Sequence, residues 1–163
     1  MNTILFTILI GAGATATMDL WGIVRAKLFG IPALNFALVG RWLGHMLEGK
    51  FRHDSIAAAK RVRGESLIGW SAHYLIGIGF AAILIGLFGE GWIQNPTLLP
   101  ALFVGVATVV APFFIMQPGM GAGIAASRTP NPNGAKVQSL VNHSVFGLGL
   151  YVSGIVAAAI LRY

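Results

Sequence analysis

Gly64-Glu65-Ser66-Leu67-Ile68-Gly69-Trp70-Ser71-Ala72-His73-Tyr74-Leu75-Ile76-Gly77-Ile78-Gly79-Phe80 starts as the end of a basic loop and becomes a run apolar enough to enter a bilayer. Glu65 stands at its mouth. His73 lies six residues in from Leu67, or ~9 Å along a helix at 1.5 Å per residue. Ionisable side chains at such depth are costly and mark candidate functional sites. The reading of this stretch as a membrane helix decides the fold.

The composition agrees. The chain has 163 residues, of which 56% are hydrophobic and 10% charged, against about 25% charged in soluble domains. That length allows roughly four spans of about 20 residues. Cysteine is absent, which excludes disulfides, thiolate-held metals and thiol nucleophiles. A net charge of +6 on a soluble protein would suggest nucleic acid. Here the cations gather in one loop, which is a topology signal, and no nucleic-acid partner is expected. The first segment lacks a basic n-region and a small-residue cleavage site, so it reads as a retained helix.

Four apolar segments follow from this reading, at about 3–24, 67–88, 98–116 and 140–161. The expectation is an all-α bundle of four transmembrane helices in a single domain. Residues 25–63 hold eight of the eleven basic residues, residues 117–139 hold Arg128 and Lys136, and Arg162 follows the last segment. Loops rich in Lys and Arg stay in the cytoplasm. The first and third loops are therefore assigned there, with both termini outside. In the first loop Phe36, Val39, Leu43, Met46 and Leu47 recur at helical spacing, while Arg41, His45 and Glu48 share another face. This predicts an amphipathic helix at about 35–48 lying in the cytoplasmic interface. Its polar face is either solvated, or Arg41 and His45 close the mouth of a pocket.

Pro112 is expected to kink the third segment or free a carbonyl there. Beyond it, Gly119, Gly121 and Gly123 either cradle a phosphate in a backbone nest with Arg128 or let a re-entrant turn pack tightly. Residues 129–134 read as a turn cluster.

His73-Tyr74-Leu75-Ile76-Gly77-Ile78-Gly79-Phe80 and His143-Ser144-Val145-Phe146-Gly147-Leu148-Gly149-Leu150 share the pattern His-x-Φ-Φ-Gly-Φ-Gly-Φ, with Φ apolar. Two parallel helical-hairpin repeats would give this pattern; so would chance in glycine-rich membrane helices. Glycines four residues from each histidine let another helix approach, so both imidazoles are expected to face the interior. Asp19, His73 and His143 fall at similar depth near the inner rim, with Glu65 and Gln117 at the same end. An unpaired Asp19 in hydrocarbon is costly, and either histidine could pair with it.

The set can be a hydrogen-bonded lock between helices. It can be a ligand- or proton-binding site of Asp19, Glu65, His73, His143, Arg41, His45 and Gln117, used to bind or transport a small solute, ion or proton. It can hold a divalent metal on His73, His143 and Asp19, as in a metal-dependent membrane enzyme. It can hold a bis-histidine haem. No compact metal motif supports the third reading, and Ser71, two residues from His73, lies on another face, against hydrolase chemistry. The helix-face glycines also permit a homodimer.

The combination of Gly40-Arg41-Trp42, Gly64-Glu65, Gly69-Trp70, His73-Tyr74, Gln117-Pro118-Gly119, His143 and Phe146-Gly147 resembles a family of small bacterial inner-membrane proteins defined only as a domain of unknown function. The resemblance spans nearly the whole chain. It implies a four-helix protein of the inner membrane and implies no activity.

Overall fold

The computed structural model of the protein describes residues 2–161; Arg162 lies outside the described residues. Those residues form helices and turns, with no strand among them. The helices are α1 (Thr3–Phe29), α2 (Phe36–Met46), α3 (Glu65–Phe88), α4 (Gly91–Gln94), α5 (Leu98–Ala107), α6 (Gln117–Met120) and α7 (Pro132–Leu161), with short 3₁₀ turns at Ile56–Ala58 and Ile124–Ala126. Four stretches are long and apolar enough to cross a membrane: Thr3–Phe29, Glu65–Phe88, Leu98–Met120 and Pro132–Leu161.

The helices outrun the apolar segments because backbone hydrogen bonding continues past the last apolar residue. α1 runs to Phe29, with Lys27 in its last turn and Gly30 closing it at φ 65°. A cation there complements the helix dipole, and glycine takes the left-handed cap without strain. α7 starts at Pro132 rather than near residue 140. The Asn131 side chain accepts the Gly134 N–H, and Pro132 at the first helical position loses no bond that the helix needs. So residues 132–134 open a helix, where the sequence suggested a plain turn. In the third span Pro112 has no N–H to give. The ladder shifts to π spacing over Pro112–Met116, and the Gln117 N–H reaches the Pro112 carbonyl. The expected disturbance takes this form.

The chain forms two compact units. The first comprises the chain up to Ala33, Tyr74–Thr108 and the chain from Val141. Its core draws Ile10 from α1, Leu84 from α3, Ile93 from α4 and Leu150 from α7, all fully buried. Helices meet there at glycines. A Cβ on Gly11 would run into the Gly77 and Ile78 backbone, and a Cβ on Gly105 into the Gly147 backbone. Gly77 and Gly147 each stand four residues after the histidine of the shared motif. Each motif thus seats its glycine on a glycine of the preceding membrane helix.

The second unit comprises Leu34–His73 and Val109–Leu140. Here α2 crosses the first turns of α3 backbone to backbone: a Cβ on Gly40 would strike the Glu65 carbonyl, and one on Gly69 the Phe36 carbonyl. The glycine-rich turn packs on the 51–54 segment. Gly119 abuts the Trp42 indole, and Gly121 sits at φ 98° with its missing side chain filled by the Asp54 carbonyl. Tight packing, the second of the two readings of these glycines, is what the structure uses. Ala125 and Ala126 follow at φ 47° and 60°, a left-handed conformation that costs roughly 1–2 kcal/mol per non-glycine residue.

The polar face of α2 is the main correction within this unit. Arg41 and His45 are buried, at 6% and 7% exposure, whereas Leu47, counted with the apolar face, is 91% exposed. Glu48 is exposed. A solvated polar face is therefore wrong for Arg41 and His45. They turn inward because acceptors wait there.

Candidate functional site

Those acceptors define the larger polar cluster of the second unit. The Arg41 Nε and Nη2 donate to the two Glu65 carboxylate oxygens at 2.8 and 2.9 Å. Its Nη1 donates to the carbonyls of Ile56, Ala57 and Ala59. The planar guanidinium matches this demand, with a fork for the carboxylate and further N–H groups for the turn. Glu65 also accepts the Val62 N–H at 3.1 Å. The hydrogen bond to Glu65 raises the Arg41 pKa above its ordinary value, against the effect of burial.

One helical turn on, His45 Nε2 lies 2.9 Å from the Lys60 carbonyl and His45 Nδ1 lies 3.1 Å from His53 Nε2. A carbonyl can only accept, so His45 carries its proton on Nε2 and its Nδ1 is bare. That nitrogen accepts from His53 Nε2–H. The chain of bonds leaves the proton-accepting nitrogen of the pair on His53 Nδ1, which is buried and has no hydrogen-bond partner among the described residues. Burial lowers the His53 pKa below the usual histidine value, with Lys50 and His45 adding to the effect. The Gly119 carbonyl and Asp54 oppose it. The His53 N–H donates to that same Gly119 carbonyl at 2.9 Å.

Beside this pair lies an open cavity of about 440 Å³ lined by Lys50, Arg52, His53, Asp54, Ser55 and Arg128 among others. Sequence reasoning missed His53. It follows the end of α2, so no helical periodicity ties it to His45, and only the fold of the 47–64 loop returns it there.

The residues expected to form one site divide between the two units: Asp19 and His143 belong to the first, Glu65 and His73 to the second. In the second, His73 stacks on Phe36 with ring centroids 4.0 Å apart. Gln117 donates to the Ser139 hydroxyl at 3.3 Å. In the first, the Tyr74 hydroxyl donates to Asp19 Oδ2 at 3.0 Å. Thr108 gives its own proton to the Gly105 carbonyl at 2.6 Å. It must then accept from His143 Nδ1–H at 2.9 Å, which leaves His143 Nε2 as the basic nitrogen. Arg25, assigned from sequence to the loop, lies within α1, 4% exposed, and donates to Asn142 Oδ1 at 2.8 Å and to the Pro32 carbonyl at 3.0 Å. Among the described residues no group of three or more histidine, aspartate or glutamate side chains is gathered as a metal ion requires.

A family model described as "Protein of unknown function (DUF2938)" matches residues 8–157. No curated protein and no solved structure matches the chain.

Proposed function

We propose that this chain, which belongs to the DUF2938 family of proteins of unknown function, is a multi-pass protein of the bacterial inner membrane that binds or transports a small solute or ion, and that its cargo is the proton. The observation that carries this reading is the set of exchangeable groups within the apolar spans: Asp19 against Tyr74, and His143 against Thr108. Hydroxyl, carboxylate and imidazole all pass protons by hydrogen bond, and imidazole changes charge near neutral pH. Ionisable groups in apolar helices are rare because they are expensive, and they commonly mark ion pathways. The positive loops support an orientation with the first and third loops in the cytoplasm and both termini outside.

The competing role is a register lock between helices. Reconstitution separates the two. Proteoliposomes of the purified chain, loaded with a pH-sensitive dye and energised by a potassium diffusion potential, should acidify faster than empty vesicles. Asp19→Asn and His143→Gln should each remove most of that flux while the thermal midpoint in detergent stays near wild type. Wild-type flux equal to that of empty vesicles overturns the reading. Variants that lose stability but keep the flux identify a lock instead.

A further inference from the structure

We propose that the cavity of the second unit is a binding site for a phosphate-bearing anion. Its wall carries three cations, Lys50, Arg52 and Arg128, with the Ser55 hydroxyl and a single carboxylate, Asp54. Three positive charges against one negative leave a surplus of two. No salt bridge joins Asp54 to any of the three cations among the described residues, so their charge is not spent on holding the loop. Main-chain contacts hold the loop instead: the His53 N–H on the Gly119 carbonyl, the Trp42 indole N–H on the Phe51 carbonyl, and the Asp54 carbonyl against Gly121. Rigid walls with uncommitted cations are what a binding site for a small anion needs. Two guanidiniums suit phosphate because each can present two parallel N–H groups to its oxygens. A volume of about 440 Å³ falls in the range of small-molecule pockets, roughly 300–1,000 Å³.

Arg128 comes from the glycine-rich turn and Lys50 and Arg52 from the first loop, so the fold assembles the site from two distant stretches. Phosphate recognition, raised for the glycine nest with Arg128, is thus transferred to side chains, since the glycines are consumed by packing. The anion can be a soluble phosphate compound or a lipid headgroup. Phe51, exposed at 58%, stands between Lys50 and Arg52 in the chain. The site shares no residue with the Asp19–Tyr74 and His143–Thr108 pairs, so it stands or falls separately from proton transport.

The test uses the full chain in neutral detergent, stripped of lipid, with Arg52→Gln, Arg128→Gln and, as a charge-matched control outside the cavity, Arg63→Gln. Calorimetric titration with inorganic phosphate and with glycerol 3-phosphate forms one arm. Native mass spectrometry after incubation with phosphatidylglycerol or phosphatidylcholine forms the other. Saturable binding in either arm is expected, about tenfold weaker in each cavity variant and unchanged in Arg63→Gln. Binding of the soluble phosphates assigns a solute site. Retention of phosphatidylglycerol over phosphatidylcholine, without soluble binding, assigns a headgroup site. Absence of saturable binding in both arms overturns the proposal, and so does equal binding by all three variants.

Discussion

Arg41 shows what a buried guanidinium requires. Its N–H groups find two carboxylate oxygens and three carbonyls, and removing one ionic partner strands the other. Breaking a buried pair is far more damaging than replacing it whole. Arg41→Ala and Glu65→Ala should therefore each lower the thermal midpoint, and the double variant should fall little below the worse single one. Additive losses would show that the pair is not coupled. His53 gives the pH dependence. Its folded pKa is depressed by burial, so the unfolded chain binds the proton more readily. The contribution of His53 to stability is complete above the ordinary histidine pKa of about 6.5 and is lost as pH falls through the folded value. The midpoint in detergent should drop between pH 7.5 and 5.5, and less steeply in His53→Gln. Parallel slopes in the two proteins would refute this. Arg41 and Glu65 were both visible as candidates in the sequence, but their pairing was not, because 24 residues of loop and helix separate them.

At the scale of the element, glycine decides which helices touch. Gly69 admits α2 because its missing Cβ would overlap the Phe36 carbonyl, whereas Gly79, on the same α3, faces open space. A carbonyl on a packed helix cannot swing away as a side-chain tip can. Gly69→Ala should cost at least ~2 kcal/mol, as overpacking of cores does, while Gly79→Ala should be neutral or slightly stabilising through helix propensity. Unfolding of the two variants in mixed micelles checks the contrast; equal stability would mean that α2 does not dock on α3 at this point. The sequence did point to Gly69, Gly77 and Gly147 by their spacing from the histidines. It did not show that Gly69 receives α2 while Gly77 receives α1.

At the scale of the whole molecule the bilayer is the solvent. Leu20, Leu28, Leu67, Leu75, Leu87 and Phe103 are each more than 60% exposed, and only 22–39% of the most apolar window of each span is buried within the chain. In water such surface would drive aggregation; in lipid it is ordinary. The absence of cysteine allows orientation to be read directly. A maleimide that cannot cross membranes should label Asn95→Cys in intact spheroplasts and Lys60→Cys only after lysis. The reverse pattern would invert the topology.

Composition and the period of apolar residues by themselves determined that the chain is helical, that four of its segments suit a bilayer, and that Pro112 disturbs the third. These are local properties, since length and hydropathy of a segment suffice to choose lipid over water. Which side chains meet was left to the tertiary structure. The inward turn of Arg41 and His45, the arrival of His53 beside them, and the gathering of Lys50, Arg52 and Arg128 around one cavity depend on how residues 47–64 and 117–128 return onto α2. That path is set by backbone contacts at Gly40, Gly69 and Gly121 and by the seat of Gly119 against the Trp42 indole. A glycine carries no side chain from which its partner can be read, so the contacts that build the site leave almost no mark in the sequence.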